Sequence, residues 1–520
     1  MNTPRAGRWW AALSGLLAVG LGLLLSEVTA GLVSPSVSPV TAVGSAVIDV
    51  LPPGLKEGAI SLFGTSDKLV FLVTLSTVVA ILAALAGVLE YRRRYLGLVV
   101  IALFGVLGVV AILSRSAVSA GQSATAALLA PGVAVLVGMA ALRFLLNRLQ
   151  AWQEAATRQP AAHSGPERRI FLRSMAIAAA GGLMAALVTG VVRSSQAAYQ
   201  AARARLKLPV PQSPAPAIPA GAVLPVAGIS DLVTANPQFY RIDTALSVPQ
   251  VNPDDWKLTV TGLVNRQVSL NLADLLAKPL VERYVTIACV SNEVGGDLIG
   301  NARWLGWPVR ELLAEAGVAP GADMVLSRSV DGFTASTPLE AMLDARDALV
   351  VVGMNGELLP LEHGFPVRLI VPGLYGFVSA TKWLTELKVT TFAADTAYWS
   401  SRGWSDHGMI KSSSRIDTPV NGSSVPVGSV TLGGVAWAPE QGIRSVEVKV
   451  DDGAWQAAEL GSGISRDTWL QWRADVRLTA GQHRLQVRCT DGNGQLQSSA
   501  VAPPAPDGSS GYHQISVTAH

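Results

Sequence analysis

Four apolar stretches, each long enough to cross a bilayer as a helix, crowd the first part of this chain at roughly 9–33, 68–90, 95–113 and 123–146. Crossing the hydrocarbon core takes about 20 residues, because each helical residue rises only about 1.5 Å. A fifth stretch, 170–192, is richer in Ala and Gly and less apolar. The interval 42–63 is mildly apolar but carries Pro52, Pro53, Lys56 and Glu57, so it reads as a loop or interfacial helix and not as a span. The spans define a transmembrane region over 1–195 of about five helices, and they explain a composition of 50% hydrophobic and only 15% charged residues. The rest of the chain has the make-up of a soluble protein.

Positive charge orients the helices. Arg5 and Arg8 precede the first span, Arg92 to Arg94 join the second to the third, and Arg143, Arg148, Arg158, Arg168 and Arg169 surround the passage from the fourth to the fifth. The opposite loops hold only Lys56, Lys68 and Arg115. An odd number of spans with a cytoplasmic N-terminus puts everything after residue 192 outside a bacterial cell membrane. The run Arg168-Arg169-Ile170-Phe171-Leu172-Arg173, followed by a weakly apolar helix, resembles a twin-arginine export signal placed internally. None of the six histidines falls in a span, and His163 lies in a cytoplasmic loop, which argues against a transmembrane haem. Glu27, near the outer end of the first span, is a candidate functional carboxylate. A net charge of +3 without a basic face interleaved with aromatics excludes nucleic acid as a partner.

Prolines at 209, 211, 214, 216, 219 and 225 make 196–228 a semi-rigid linker. Beyond it, 229–398 reads as an α+β domain. Trp256 to Val260 alternates as a strand and turns at Thr261-Gly262. Leu270 to Leu276 forms a short helix with Asn271 as cap. Tyr284 to Val290 is a strand that delivers Cys289 to the polar loop Ser291 to Asp297. Residues 308–316 and 338–344 are helical, and Val367 to Val371 ends at Pro372-Gly373. From 416 to 520 the pattern becomes all-β: Val446, Val448 and Val450 alternate with polar residues and run into Asp452-Gly453, as in an immunoglobulin-like sandwich. The expected fold class is therefore an all-α transmembrane bundle, an α+β domain and an all-β sandwich.

Two cysteines, Cys289 and Cys489, cannot build a disulfide framework; one bridge would have to join two domains. Cys489 sits on the apolar face of its strand as a small core residue. Cys289 opens into a polar loop where its soft thiolate can reach a metal. No Cys or His at ligand spacing accompanies it, which speaks against zinc, so other ligands would come from a cofactor. Downstream, His363-Gly364-Phe365-Pro366-Val367-Arg368 and Lys382 offer an imidazole, a guanidinium and an ammonium around Pro372-Gly373-Leu374-Tyr375-Gly376. Such a set suits a phosphate and a planar heterocycle.

Residues 235–395 resemble the sulfite oxidase family of molybdopterin oxidoreductases. The resemblance rests on Tyr240-Arg241, on Cys289 with Asn292, and on Gly300-Asn301-Ala302-Arg303-Trp304. It continues through Asn355-Gly356-Glu357-Leu358-Leu359-Pro360 into His363 to Arg368, and ends at Lys382-Trp383-Leu384. The tail, with Pro503 to Gly508 and a closing strand near Gly511-Tyr512-His513, resembles the family's Ig-like dimerisation domain, so a homodimer is a candidate assembly. The resemblance implies that Cys289 ligates molybdenum beside the dithiolene of one molybdopterin. It also implies that Tyr240, Arg241, Asp243, Asn292, Asp331, His363, Arg368, Thr381 and Lys382 bind or flank that cofactor. Two-electron oxygen-atom transfer on a small substrate, a sulfoxide or an oxyanion, would follow, with a quinone or a redox protein as electron partner. Two departures count against sulfite itself. The segment after the cysteine reads Val290-Ser291-Asn292-Glu293 without arginines, and Phe333 stands where the family carries a tyrosine. A non-catalytic membrane protein that uses the Ig-like tail for partner binding is the competing reading, and retention of Cys289 with the cofactor set opposes it. A transporter is disfavoured by the scarcity of polar residues in the spans.

Overall fold

The structure, a computed structural model, describes residues 4–33, 38–50, 67–116, 124–158, 165–193, 202–245 and 248–520. They fall into two compact units, one made by the N-terminal helices and one by the chain from residue 202 onward apart from 244–245.

The first unit contains α1 (Pro4–Val33), α2 (Pro39–Val50), α3 (Asp67–Arg92), α4 (Leu96–Ser116), α5 (Ala124–Arg158) and α6 (Pro166–Arg193). Five of these are long and apolar enough to cross a membrane, and α2, at 12 residues, is not. The rest of the 42–63 interval and His163 lie outside the described residues. Helix α5 runs on to Arg158, beyond the apolar stretch, because Leu149 and Trp152 in its polar tail keep packing on α1 and α6. Helix α1 is the hub and packs on α3, α5 and α6. Glycine allows the close approach: a Cβ at Gly87 would overlap the Ala11 carbonyl, and one at Gly15 would overlap that of Ala83.

Charge inside this unit is spent on helix ends. Glu27 accepts from the Ser38 hydroxyl at 2.7 Å and from Val40 N at 3.4 Å, at the start of α2. Glu90 accepts from Gly97 N at 3.1 Å at the start of α4 and pairs with Arg143 at 2.6 Å. Both carboxylates thus satisfy helix-terminal amides that have no partner within their own helix. Phe171, fully buried, lies 5.5 Å from Trp10 and 5.7 Å from Trp152, and the Arg168 guanidinium covers Trp152 at 6.0 Å.

The second unit opens with β1 (Lys257–Gly262), β2 (Val268–Asn271) and α7 (Leu272–Leu276), whose Asn271 and Asp274 form a reciprocal capping box. There follow β3 (Val281–Ala288), β4 (Ile299–Pro308), α8 (Val309–Ala316), β5 (Met324–Ser329), β6 (Thr334–Pro338) and α9 (Leu339–Leu343). Strands β7 (Leu349–Met354), β8 (Glu357–Leu358) and β9 (Arg368–Ile370), helix α10 (Gly376–Ser379) and β10 (Leu384–Thr390) complete the α+β domain. One sheet runs β2-β1-β10-β5-β6; the other runs β3-β4-β7-β8, with β9 pairing β7. Trp304, fully buried on β4, packs behind this second sheet with Phe239 and Phe365.

The C-terminal sandwich has strands β11 (Ser413–Thr418), β12 (Ser424–Val425), β13 (Gly428–Trp437), β14 (Ile443–Val450) and β15 (Gln456–Ala457). It closes with β16 (Glu459–Leu460), β17 (Leu470–Leu478), β18 (Gly481–Asp491) and β19 (His513–Ala519). Its two sheets are β11-β13-β17-β16 and β12-β19-β18-β14-β15. Val446, Val448, Val487 and Cys489 point into its core, as alternation requires. Both cysteines are free and buried, so no bridge joins the domains. The sandwich is instead welded to the α+β domain by apolar contact, since Val435, Trp437 and Trp469 belong to the core cluster of that domain.

Replacing Gly87 with Val should destabilise the helical unit by about 1–3 kcal/mol or more, the usual cost of overpacking. Gly132→Ala, where an added Cβ meets nothing, is the neutral control. Thermal unfolding of the detergent-solubilised chain measures both, and equal midpoints for the two variants would refute the α1–α3 contact.

Candidate functional site

Strands β3 and β4 form a hairpin whose last pair is Ala288↔Ile299, and Cys289 is the first residue of the loop between them. The loop is closed at its neck by Cys289 N donating to Leu298 O at 2.9 Å. Asn292 turns it: its N donates to Cys289 O at 3.1 Å and its Oδ1 accepts from Leu298 N at 2.9 Å. The Cys289 side chain is 7% exposed, and its Sγ accepts from Ser291 N at 3.4 Å. Burial raises the thiol's pKa, and the Ser291 hydrogen bonds only partly offset that.

Two tyrosines approach the sulfur. A Cβ at Gly376 would stand 3.5 Å from the Tyr240 hydroxyl and 3.6 Å from Ala288 O, so Tyr240, α10 and the peptide before Cys289 converge. Burial raises the Tyr240 pKa, with Cys289 adding to the effect. Tyr375 is pushed up to about 12, chiefly by burial. Sequence reading placed Tyr375 only in a glycine loop, because the proximity comes from the packing of α10.

Three cations gather nearby against a single paired carboxylate. Asp243 Oδ2 accepts from Lys382 Nζ at 2.8 Å and from Arg241 Nε at 3.1 Å. Lys382 also donates to Glu362 O at 3.1 Å, and burial lowers its pKa to about 8 despite Asp243. Arg368 is 4% exposed and donates to the backbone oxygens of His363 at 3.1 Å and Ala380 at 3.4 Å. Its guanidinium lies 5.0 Å over Trp304, a contact missed by sequence reading because it arises between β4 and β9. Its Nε has no partner, no carboxylate among the described residues pairs with it, and burial lowers its pKa to about 10. A buried guanidinium with an orphaned donor is a site for an anion. The surplus of positive charge fits a phosphate.

The remaining predicted residues take more local roles. His363 Nε2 lies 3.0 Å from Asn236 O, and burial with Arg368 holds the imidazole down at about 4. It is therefore neutral and does not add a fourth cation to the set. Thr381 Oγ1 meets Ser327 Oγ at 2.7 Å. Asp331 accepts from Phe333 N at 3.2 Å within its own turn and does not join the ionic cluster. Phe333 packs 5.8 Å from Tyr398, a ring from a distant part of the chain. Among the described residues no cluster of His, Cys, Asp and Glu could hold a metal by itself.

Residues 245–399 match the family profile described as oxidoreductase molybdopterin binding domain, and 413–487 match that of a bacterial Ig domain. The mitochondrial sulfite oxidase of Homo sapiens is 30% identical over 320 residues, covering 52% of this chain and 58% of that one. Nitrate reductase [NADH] 2 of Nicotiana tabacum is 33% identical over 178 residues, covering 29% of this chain and 20% of that one. Among solved structures, the sulfane dehydrogenase SoxCD from Paracoccus pantotrophus is similar at 24% identity and a TM-score of 0.45, covering 52% of this chain and 77% of that chain. The chain spans little more than half the length of the mammalian sulfite oxidases it matches. The central α+β domain thus carries the molybdopterin-binding oxidoreductase profile. An Ig-like domain follows it.

Two measurements test the electrostatics. Inorganic phosphate should raise the thermal midpoint of the cofactor-free protein, and Arg368→Met should abolish that rise; an equal rise in both would place the anion elsewhere. His363 and His513 are each lowered to about 4, mainly by burial. Unfolded histidine titrates near about 6.5, so between the two values the unfolded state binds more protons. Stability is full above that upper value and falls as pH drops toward the folded-state pKa, by on the order of 3 kcal/mol per group. His363→Gln should remove about half of this slope in the thermal midpoint, and an unchanged slope would exclude His363 as a source.

Proposed function

We propose that the chain is a membrane-anchored, extracytoplasmic molybdopterin-dependent oxidoreductase that performs two-electron oxygen-atom transfer on a small substrate of sulfoxide or oxyanion type. The observation that carries the reading is the convergence of an inward-facing cysteine with three cations, two of which share one carboxylate, Asp243, while the buried Arg368 has none among the described residues. Cys289 would ligate the metal as a soft thiolate. Arg368, Lys382 and Arg241 would take the phosphate, with Asp243 orienting the last two. Tyr240, Asn292, His363, Thr381 and Asp331 would flank the pterin, the neutral His363 offering Nδ1 as an acceptor. When bound, the group supplies a redox centre that exchanges two electrons and an oxygen atom with substrate. The protein's share is to hold the sulfur, neutralise the phosphate and keep bulk water from the metal face with Tyr240 and Tyr375.

Substrate recognition would differ from that of a sulfite oxidase. The cysteine loop brings no arginine to the metal face, and Phe333 brings no hydroxyl. A less highly charged oxo compound suits such a face better than sulfite. Five apolar helices and the arginine bias support anchoring with the soluble part outside, and the run around Arg168-Arg169 supports export after cofactor loading. A quinone or a separate redox protein would exchange the electrons.

Full-length protein purified from cells grown with molybdate should carry near-stoichiometric molybdenum by elemental analysis. Cys289→Ser should lose the metal and turnover while keeping its thermal midpoint. A metal-free wild type would sink the enzyme reading. Changing Arg168 and Arg169 together to Lys should leave the soluble part protected from protease added to spheroplasts, whereas continued cleavage would refute the export role.

A further inference from the structure

The loop that carries Cys289 is gripped from outside its own domain. Ser509 Oγ, in the segment leading into β19, donates to the Asn292 carbonyl at 2.6 Å. Arg415 Nη1, on β11, donates to the Gly296 carbonyl at 2.6 Å. The guanidinium is itself fixed by Asp417 at 2.6 Å and by Ser230 Oγ at 2.8 Å. Between these two anchor points the His513 ring lies flush on Gly295, which sits at φ +81°, and any Cβ there would collide with the ring. The ring is held in turn by Ile416 N donating to Nδ1 at 3.0 Å. Gly508 packs on the Tyr375 hydroxyl, so the same segment that holds the loop also backs one of the tyrosines facing Cys289.

We propose that the Ig-like domain is the positioning device for Cys289: Ser509, Arg415 and His513 clamp residues 292–296 and thereby fix where the sulfur stands. The loop's own hydrogen bonds close its neck, and among the described residues the side-chain hydrogen bonds that reach its far side from outside the loop come from Arg415 and Ser509. An Ig-like module with this role is part of the site without touching the ligand, which is more than a dimerisation surface would require. The inference rests on the reading of Cys289 as the metal ligand only for its consequence, not for its geometry.

The test uses the full chain in detergent without cofactor and follows alkylation of the two cysteines by iodoacetamide with mass spectrometry. Cys289 reacts when its loop opens; Cys489, 1% exposed in the sandwich core, reports global loosening. Ser509→Ala should speed Cys289 alkylation by about ten-fold, the factor expected for loss of one ordinary hydrogen bond in a local opening. Cys489 should stay unchanged, and Ser509→Thr should restore the slow rate. Gly295→Ala should act in the same direction by pushing the loop off His513. Should Gly295→Ala fail to fold, Ser509→Ala decides alone. A wild-type rate in Ser509→Ala, or a parallel rise at Cys489, overturns the proposal. In metal-loaded protein, the electron paramagnetic resonance of the one-electron-reduced metal should shift in Ser509→Ala and return in Ser509→Thr. The alkylation arm needs no metal, so its failure and a failure of the molybdenum reading are told apart.

Discussion

A guanidinium taken out of water costs several kcal/mol unless something answers its charge. Much of the α+β domain is organised around that cost at Arg368. The strand β9 places it, Trp304 covers one face, and two backbone oxygens accept hydrogen bonds from it. The fold stops short of full compensation and leaves Nε bare. Lys382 and Arg241 are treated differently, because both lean on Asp243. One part of the cationic set is therefore braced by the protein, while the other is kept in need of an external anion.

The elements that bear this set were legible where the signal is local. The strand read over Tyr284 to Val290 overlaps β3, which runs Val281–Ala288 and ends just before Cys289. Asn271 marked a helix start, and Val446 to Val450 read as a sandwich strand with Cys489 on the matching face of its partner. What could not be read is what packing alone creates. Arg415 lies far along the chain in another domain and carries no motif, and His513 read only as the start of the closing strand. The neutral state of His363 follows from its burial beside Arg368, which no spacing shows. Asp331 is grouped with the cofactor residues by family pattern, and its hydrogen bond from Phe333 N within its own turn is likewise a product of the fold.

The N-terminal helices obey a different economy. Glu27 looked like a functional carboxylate when considered as a charge within a span, but it caps α2, much as Glu90 caps α4. A buried helix-terminal amide without a partner costs free energy, and a carboxylate that accepts from it offsets that cost. Glycine at the α1–α3 contact serves the same end by letting backbones meet where side chains offer little attraction.

The grip on the Cys289 loop also sets an order in time. Chains are made from the N-terminus at about 5–20 residues per second, and Ser509 and His513 follow every cofactor-facing residue in the sequence. A nascent or truncated chain ending before Ser509 would hold the cysteine, the tyrosines and the cations, but the loop that bears the sulfur would be gripped by Arg415 alone. Assembly of the site is thereby tied to completion of the sandwich, so unfinished molecules differ from finished ones at the very atom that a cofactor would have to find.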